Sequence, residues 1–75
     1  MNLSRALTLR DGRKIITLSD AVALMSQLPK PRQMNAVWQK AASMLLDAQE
    51  TESREDLYHA TAQLCRALQF EGWMV

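Results

Sequence analysis

The sequence predicts an α+β fold, an N-terminal two-stranded β-hairpin followed by three α-helices packed on one of its faces. Three observations carry this. An Asp-Gly pair separates two β-prone runs, apolar residues then recur at helical spacing in three segments, and a capping residue precedes each segment.

The hairpin is expected over about residues 6–18. Leu7-Thr8-Leu9-Arg10 and Arg13-Lys14-Ile15-Ile16-Thr17-Leu18 flank Asp11-Gly12, a pair suited to a two-residue type I′ turn because both central positions need positive φ. That turn sets Leu7 opposite Ile16 and Thr8 opposite Ile15. The two-residue period then places Leu7, Leu9, Ile16 and Leu18 on an apolar face and Ile15 on the other. Ser19 is the expected cap of a helix over about 20–28, with Asp20 in the first turn where a negative charge suits the helix dipole. Ala21, Leu24, Met25 and Leu28 form its stripe, and Pro29 ends it. Pro29-Lys30-Pro31-Arg32-Gln33 reads as a stiff basic connection. Asn35 caps a helix over about 35–50 whose stripe is Met34, Trp38, Ala41, Leu45 and Ala48. Val37, Ala42 and Met44 widen that stripe until contact on more than one side is implied. Ser53-Arg54-Glu55-Asp56 resembles a capping box for a helix over about 54–71 carrying Leu57, Ala60, Leu64, Ala67 and Leu68. Gly72 is placed for a left-handed cap, and Trp73-Met74-Val75 would fold back on the core or wait for a partner.

The whole chain, 1–75, is read as a single small domain. Hydrophobic residues make up 48% and charged residues 23%, the balance of a globular chain rather than a disordered one. No apolar run approaches the roughly 20 residues that cross a bilayer. One cysteine leaves no internal disulfide and suits a reducing, cytoplasmic setting. So short a chain gains little net stability from its own core, and small domains of this kind often add a disulfide, a metal or a second subunit. A single Cys and a single His provide neither of the first two.

Catalytic groupings are not apparent. His59 and Cys65 are six positions apart, about 600° of helix rotation, which leaves them about 120° apart on the helix surface. Glu55 and His59 have i, i+4 spacing and read as a solvated surface pair. Cys65, among Ala and Leu, reads as a small buried hydrophobe. There is no glycine-rich phosphate loop and no paired cysteine for zinc, so neither enzymatic activity nor a cofactor is expected.

Charge is distributed unevenly. Residues 1–40 hold seven basic against two acidic side chains, and residues 41–75 hold two against six, so a net +5 faces a net −4 within a total of +1. Such asymmetry steers an anionic partner to one end or lets two copies approach head to tail. Arg10, Arg13 and Lys14 at the hairpin tip, with Lys30 and Arg32, offer phosphate contacts, and binding of nucleic acid by these five is the alternative function. Against it, two prolines occupy the connection before Asn35 where a helix-turn-helix has a short turn, and the pI is only about 7.9.

Surplus apolar surface points elsewhere. Five Met, Trp38, Phe70, Trp73 and Ile15 are many large side chains for so small a core, and exposed apolar patches mark contact sites. The leading expectation is a non-enzymatic protein that binds protein, in the simplest case itself as a homodimer. Its contact residues would be Ile15 on the hairpin with Phe70, Trp73 and Met74 at the C-terminus. No membrane association is expected.

The run Ile16-Thr17-Leu18-Ser19-Asp20-Ala21, then Leu28-Pro29, the spaced Ala41 and Ala48, and finally Ala60 through Glu71-Gly72-Trp73 resembles a family of small bacterial domains of unknown function. In that family a short hairpin precedes helices. The likeness spans residues 7–73; it implies a bacterial origin and brings no catalytic or ligand-binding residue.

Overall fold

The computed structural model describes residues 2–74. Its elements run β1 (Asn2–Thr8), β2 (Lys14–Thr17), α1 (Leu18–Ser26), α2 (Lys30–Gln33), α3 (Ala36–Thr51) and α4 (Arg54–Phe70). The α+β class is as expected, with four helices rather than three.

The hairpin differs from expectation in its turn. Leu7 pairs with Ile15 and Thr8 with Lys14, one residue away from the register of a two-residue turn. Leu9 N–H donates to Arg13 O at 2.8 Å and Gly12 N–H to Leu9 O at 3.0 Å, so Arg10, Asp11 and Gly12 form a three-residue loop. Gly12, at φ +92°, supplies the left-handed residue that such a loop needs. Asp11 stabilises the turn by accepting from Arg13 N–H at 3.0 Å, and that N–H holds its carboxyl below the usual range. The shifted register turns Ile15 into the core and leaves Ile16 44% exposed. β1 also begins earlier than expected. Asn2 pairs with Thr17, and the irregular stretch before Leu7 brings Leu3 into the core. Where β1 departs from the ladder, Ser4 N–H donates instead to the buried Thr61 hydroxyl of α4 at 3.2 Å, which itself donates to Leu57 O.

The cap of α1 is Thr17, not Ser19. Thr17 Oγ1 accepts from Asp20 N–H while Asp20 Oδ2 accepts from Thr17 N–H, both at 3.1 Å, a complete capping box. Asp20 also accepts from Ile16 N–H, and these two backbone donors hold its carboxyl below the usual range. Pro29 to Gln33 is not a bare connection. Proline is tolerated in a first helical turn because its missing N–H would be unpaired there, and Lys30–Gln33 closes into the short α2.

Asn35 caps α3 as expected, its Oδ1 accepting from Val37 N–H at 2.9 Å. Trp38, Ala41, Leu45 and Ala48 are buried, whereas Met34, which precedes the cap, lies 72% exposed. Ser53 caps α4, but its box is half made, since Asp56 accepts from Thr51 Oγ1 rather than Ser53 N–H. Glu52, in the left-handed region at φ 54°, reverses the chain between α3 and α4. These two helices pack along their length, and β1 lies across α4. Burial on both sides explains why α4 hides Ala60, Thr61, Leu64, Cys65, Ala67 and Leu68 together. One cluster joins hairpin and helices.

Candidate interaction surface

Two features stand out once the fold is in place. One is a clasp at the C-terminus. Gly72, at φ +75°, ends α4 as anticipated, with Gly72 N–H donating to Gln69 O and Trp73 N–H to Leu68 O, both at 3.0 Å. Trp73 O then accepts from Arg10 N–H of the hairpin loop at 2.8 Å. The Trp73 ring lies 6.1 Å from that of Trp38, tilted by 49°. Just before the turn, the Glu71 carboxylate accepts from Trp38 Nε1 at 2.9 Å and from the Arg32 guanidinium. The Glu71 side chain is only 6% exposed, so this carboxylate ties α2 and α3 to the chain end from a sheltered position.

The clasp revises the contact residues inferred from sequence. Ile15 is buried, and Trp73 and Met74 pack, half-buried, against the core. The reason is the Schellman turn at Gly72, which directs both side chains back onto the molecule. Phe70, one position before the cap, remains 62% exposed. Val75 lies outside the described residues.

The second feature is a groove between α1 and α3, also lined by Leu28 and Gln33, with a volume of about 520 Å³. Leu18, Met25, Leu45 and Trp38 form its floor and walls. Val22 and Leu46 rise at its edges, 46% and 58% exposed. Gln39, Ser43 and Gln49 of α3 and Ser26 of α1 supply polar groups. Its thirteen lining residues include none of the seventeen charged side chains of the chain. Depletion of charge with retained apolar area is the composition of an interface centre.

Sequence reasoning did not read Val22, Leu46 and Gln49 as contact residues. The signal was nonetheless there: positions 39, 42, 43, 46 and 49 share one helix face and carry no charge. A second, smaller cleft of about 420 Å³ lies between α3 and α4, lined by Lys40, Gln63, Arg66 and Phe70 among others. Gln63 is committed there to Val37 O.

The five basic residues at the hairpin and α2 divide. Arg13 pairs with Asp11 at 2.7 Å and Arg32 with Glu71, while Arg10, Lys14 and Lys30 are exposed. His59 Nε2 stands 3.9 Å from Glu55 on the surface of α4. Cys65 is buried, its Sγ near Arg5 Nη2 at 3.5 Å and Met74 Sδ at 3.6 Å. Among the described residues no cluster of three metal-ligating side chains occurs, and no helix is long and apolar enough to cross a membrane.

No protein-family model, curated protein or solved structure matches the chain.

Proposed function

We propose that this chain is a non-enzymatic, cytoplasmic protein-binding module whose contact surface is the groove between α1 and α3. The observation that carries the reading is a charge-free apolar groove with Val22 and Leu46 standing out of it. Water around such a surface is released when a complementary apolar face covers it. A partner contributing an amphipathic helix or its equivalent suits such a lining, since apolar anchors at helical spacing are how grooves of this kind are filled. Nucleic-acid binding has less support, because Arg13 and Arg32 are already paired with carboxylates.

A photo-crosslinking side chain introduced at Gln39 or Gln49, on the rim, tests this in the native cell, with Arg54 on α4 as the control position. Protein adducts from the rim positions and none from Arg54 are expected. Adducts absent from the rim, or equal at all three positions, would overturn it. Salt-sensitive retardation of DNA or RNA by the purified chain, lost on replacing Arg10, Lys14 and Lys30, would favour the alternative.

A further inference from the structure

We infer that the cleft between α3 and α4 is a binding site for a small organic anion, a carboxylate or phosphate group carried on a flat apolar ring. It shares no lining residue with the groove between α1 and α3, so it stands or falls apart from the protein-binding reading. Lys40 lies 12 residues before the reversal at Glu52 and Arg66 lies 14 residues after it. The packing of the two helices along their length therefore brings both cations to one height and into one cleft. Among the described residues, neither is paired with a carboxylate. The sequence explains why. No acidic residue stands three or four positions from either cation, where a helix would offer an ion pair. Asp47, Glu50, Glu55 and Asp56 sit toward the reversal instead, and Glu71 is held by Trp38 and Arg32. Two like charges on one cleft repel, and a bound anion relieves that repulsion by pairing with both.

The rest of the lining sets the body of the ligand. Phe70 follows Arg66 by one helical turn and stands 62% exposed at the cleft, which leaves its ring free to stack with a second flat ring. Ala36 and Val37 add apolar contact. Gln63 lines the same cleft at only 8% exposure, uncommon for so polar a side chain. Its Nε2 donates to Val37 O at 3.3 Å. That uses one of two amide hydrogens and leaves the other, with the amide oxygen, unpaired among the described residues. These groups can meet a polar substituent of the ligand. At about 420 Å³ the cleft falls within the range of roughly 300–1,000 Å³ typical of small-molecule sites. Apolar walls, one buried amide and two convergent charges are the make-up of such a site, whereas the centre of a protein interface is depleted of charge.

The test uses the full chain and the probes phenyl phosphate, phenylacetate, inorganic phosphate and benzyl alcohol. Amide NMR spectra followed through each titration should show saturable shifts with phenyl phosphate or phenylacetate, centred on Lys40, Gln63, Arg66 and Phe70. Which of the two binds more tightly tells a phosphate ligand from a carboxylate one. Inorganic phosphate carries charge without a ring and benzyl alcohol a ring without charge, so each should bind about 5-fold more weakly or worse. Lys40→Gln and Arg66→Gln should each weaken the tighter ring-bearing anion about 5-fold, whereas Lys14→Gln on the hairpin should change nothing. Phe70→Ala should weaken that anion about 5-fold and leave inorganic phosphate unaffected. All of these side chains are exposed, and the dispersion of each variant's own spectrum shows that it folds. Titrations that do not saturate, shifts centred elsewhere, inorganic phosphate binding as tightly as phenyl phosphate and phenylacetate, or Lys40 and Arg66 variants that bind like wild type would overturn the inference.

Discussion

Replacing Glu71 by alanine removes the acceptor at the centre of the C-terminal clasp, and the structure says how the cost divides. Trp38 is 1% exposed and, among the described residues, its indole N–H donates to Glu71 alone. Left without a partner, a buried donor of this kind costs about 1–3 kcal/mol. The Arg32 guanidinium is half exposed, so losing its pair adds only about 0.2–1 kcal/mol. A total near 2–3 kcal/mol is large for a domain of this length, whose stability at about 0.05–0.15 kcal/mol per residue comes to about 4–11 kcal/mol. It corresponds to a melting temperature lower by about 10–20 °C.

Two further variants separate the contributions. Glu71→Gln keeps an oxygen for the indole and loses the charge, so its cost should stay near 1 kcal/mol. Arg32→Ala should cost less than about 1 kcal/mol. Urea denaturation followed by far-UV circular dichroism and by tryptophan fluorescence measures all three. If Glu71→Ala proves no worse than Arg32→Ala, the indole bond contributes nothing and the clasp is an ordinary surface ion pair.

Further outcomes follow from the same geometry. Gly12→Ala places a β-carbon at φ +92° and should cost about 1–2 kcal/mol, read as a lower thermal midpoint. Leu45→Ala, at a residue 1% exposed, should cost about 2–5 kcal/mol, whereas Leu46→Ala one position on should change monomer stability by less than about 0.5 kcal/mol; equal costs would contradict the burial assigned to them. Asp20 has its carboxyl lowered in the folded state by the Ile16 and Thr17 amides. The stability it contributes is therefore complete above the unfolded value near 3.8 and lost as pH falls through the lower folded value. Asp20→Asn should flatten the fall in urea midpoint below about pH 4, and an unchanged slope would refute the assignment.

Much of the fold was legible because its signals are local. Asn35, Ser53 and Gly72 sit at caps where short side chains or a left-handed backbone are needed, and the periodic rows of α3 and α4 follow directly. The hairpin register was not, for two reasons. Asp-Gly serves a type I′ turn and a three-residue loop equally well, since both need a left-handed glycine. Ile15 and Ile16 are interchangeable as core residues, so apolar pattern cannot choose between them. At α1, Thr17 and Ser19 are both good caps, and only the three-residue spacing from Thr17 to Asp20 completes a box. Pro29 and Pro31 read as breaks because their effect depends on whether they fall inside a helix or in its first turn. Of the clasp, the Gly72 turn was legible and the Glu71–Trp38 bond was not. It joins Glu71 to Trp38 across 33 positions, and no local pattern reports such a contact.

Trp38 links the clasp to the groove. Its side chain forms part of the groove wall, its Nε1 is held by Glu71, and Trp73 covers it from the chain end. A side chain in all three places sets the shape of the surface on which a protein partner would rest. Releasing it through Glu71→Ala should therefore reduce association beyond what the unfolded fraction explains, because an unanchored indole can enter the groove. Leu46→Ala offers the contrast: it should reduce association while leaving the monomer as stable as before. The yield of protein adducts from a photo-crosslinking side chain at Gln49, set beside the urea midpoint of each variant, separates the two effects. Were Glu71→Ala to associate as tightly as wild type at temperatures where it is fully folded, the wall would be rigid without the clasp, and the two features would be independent.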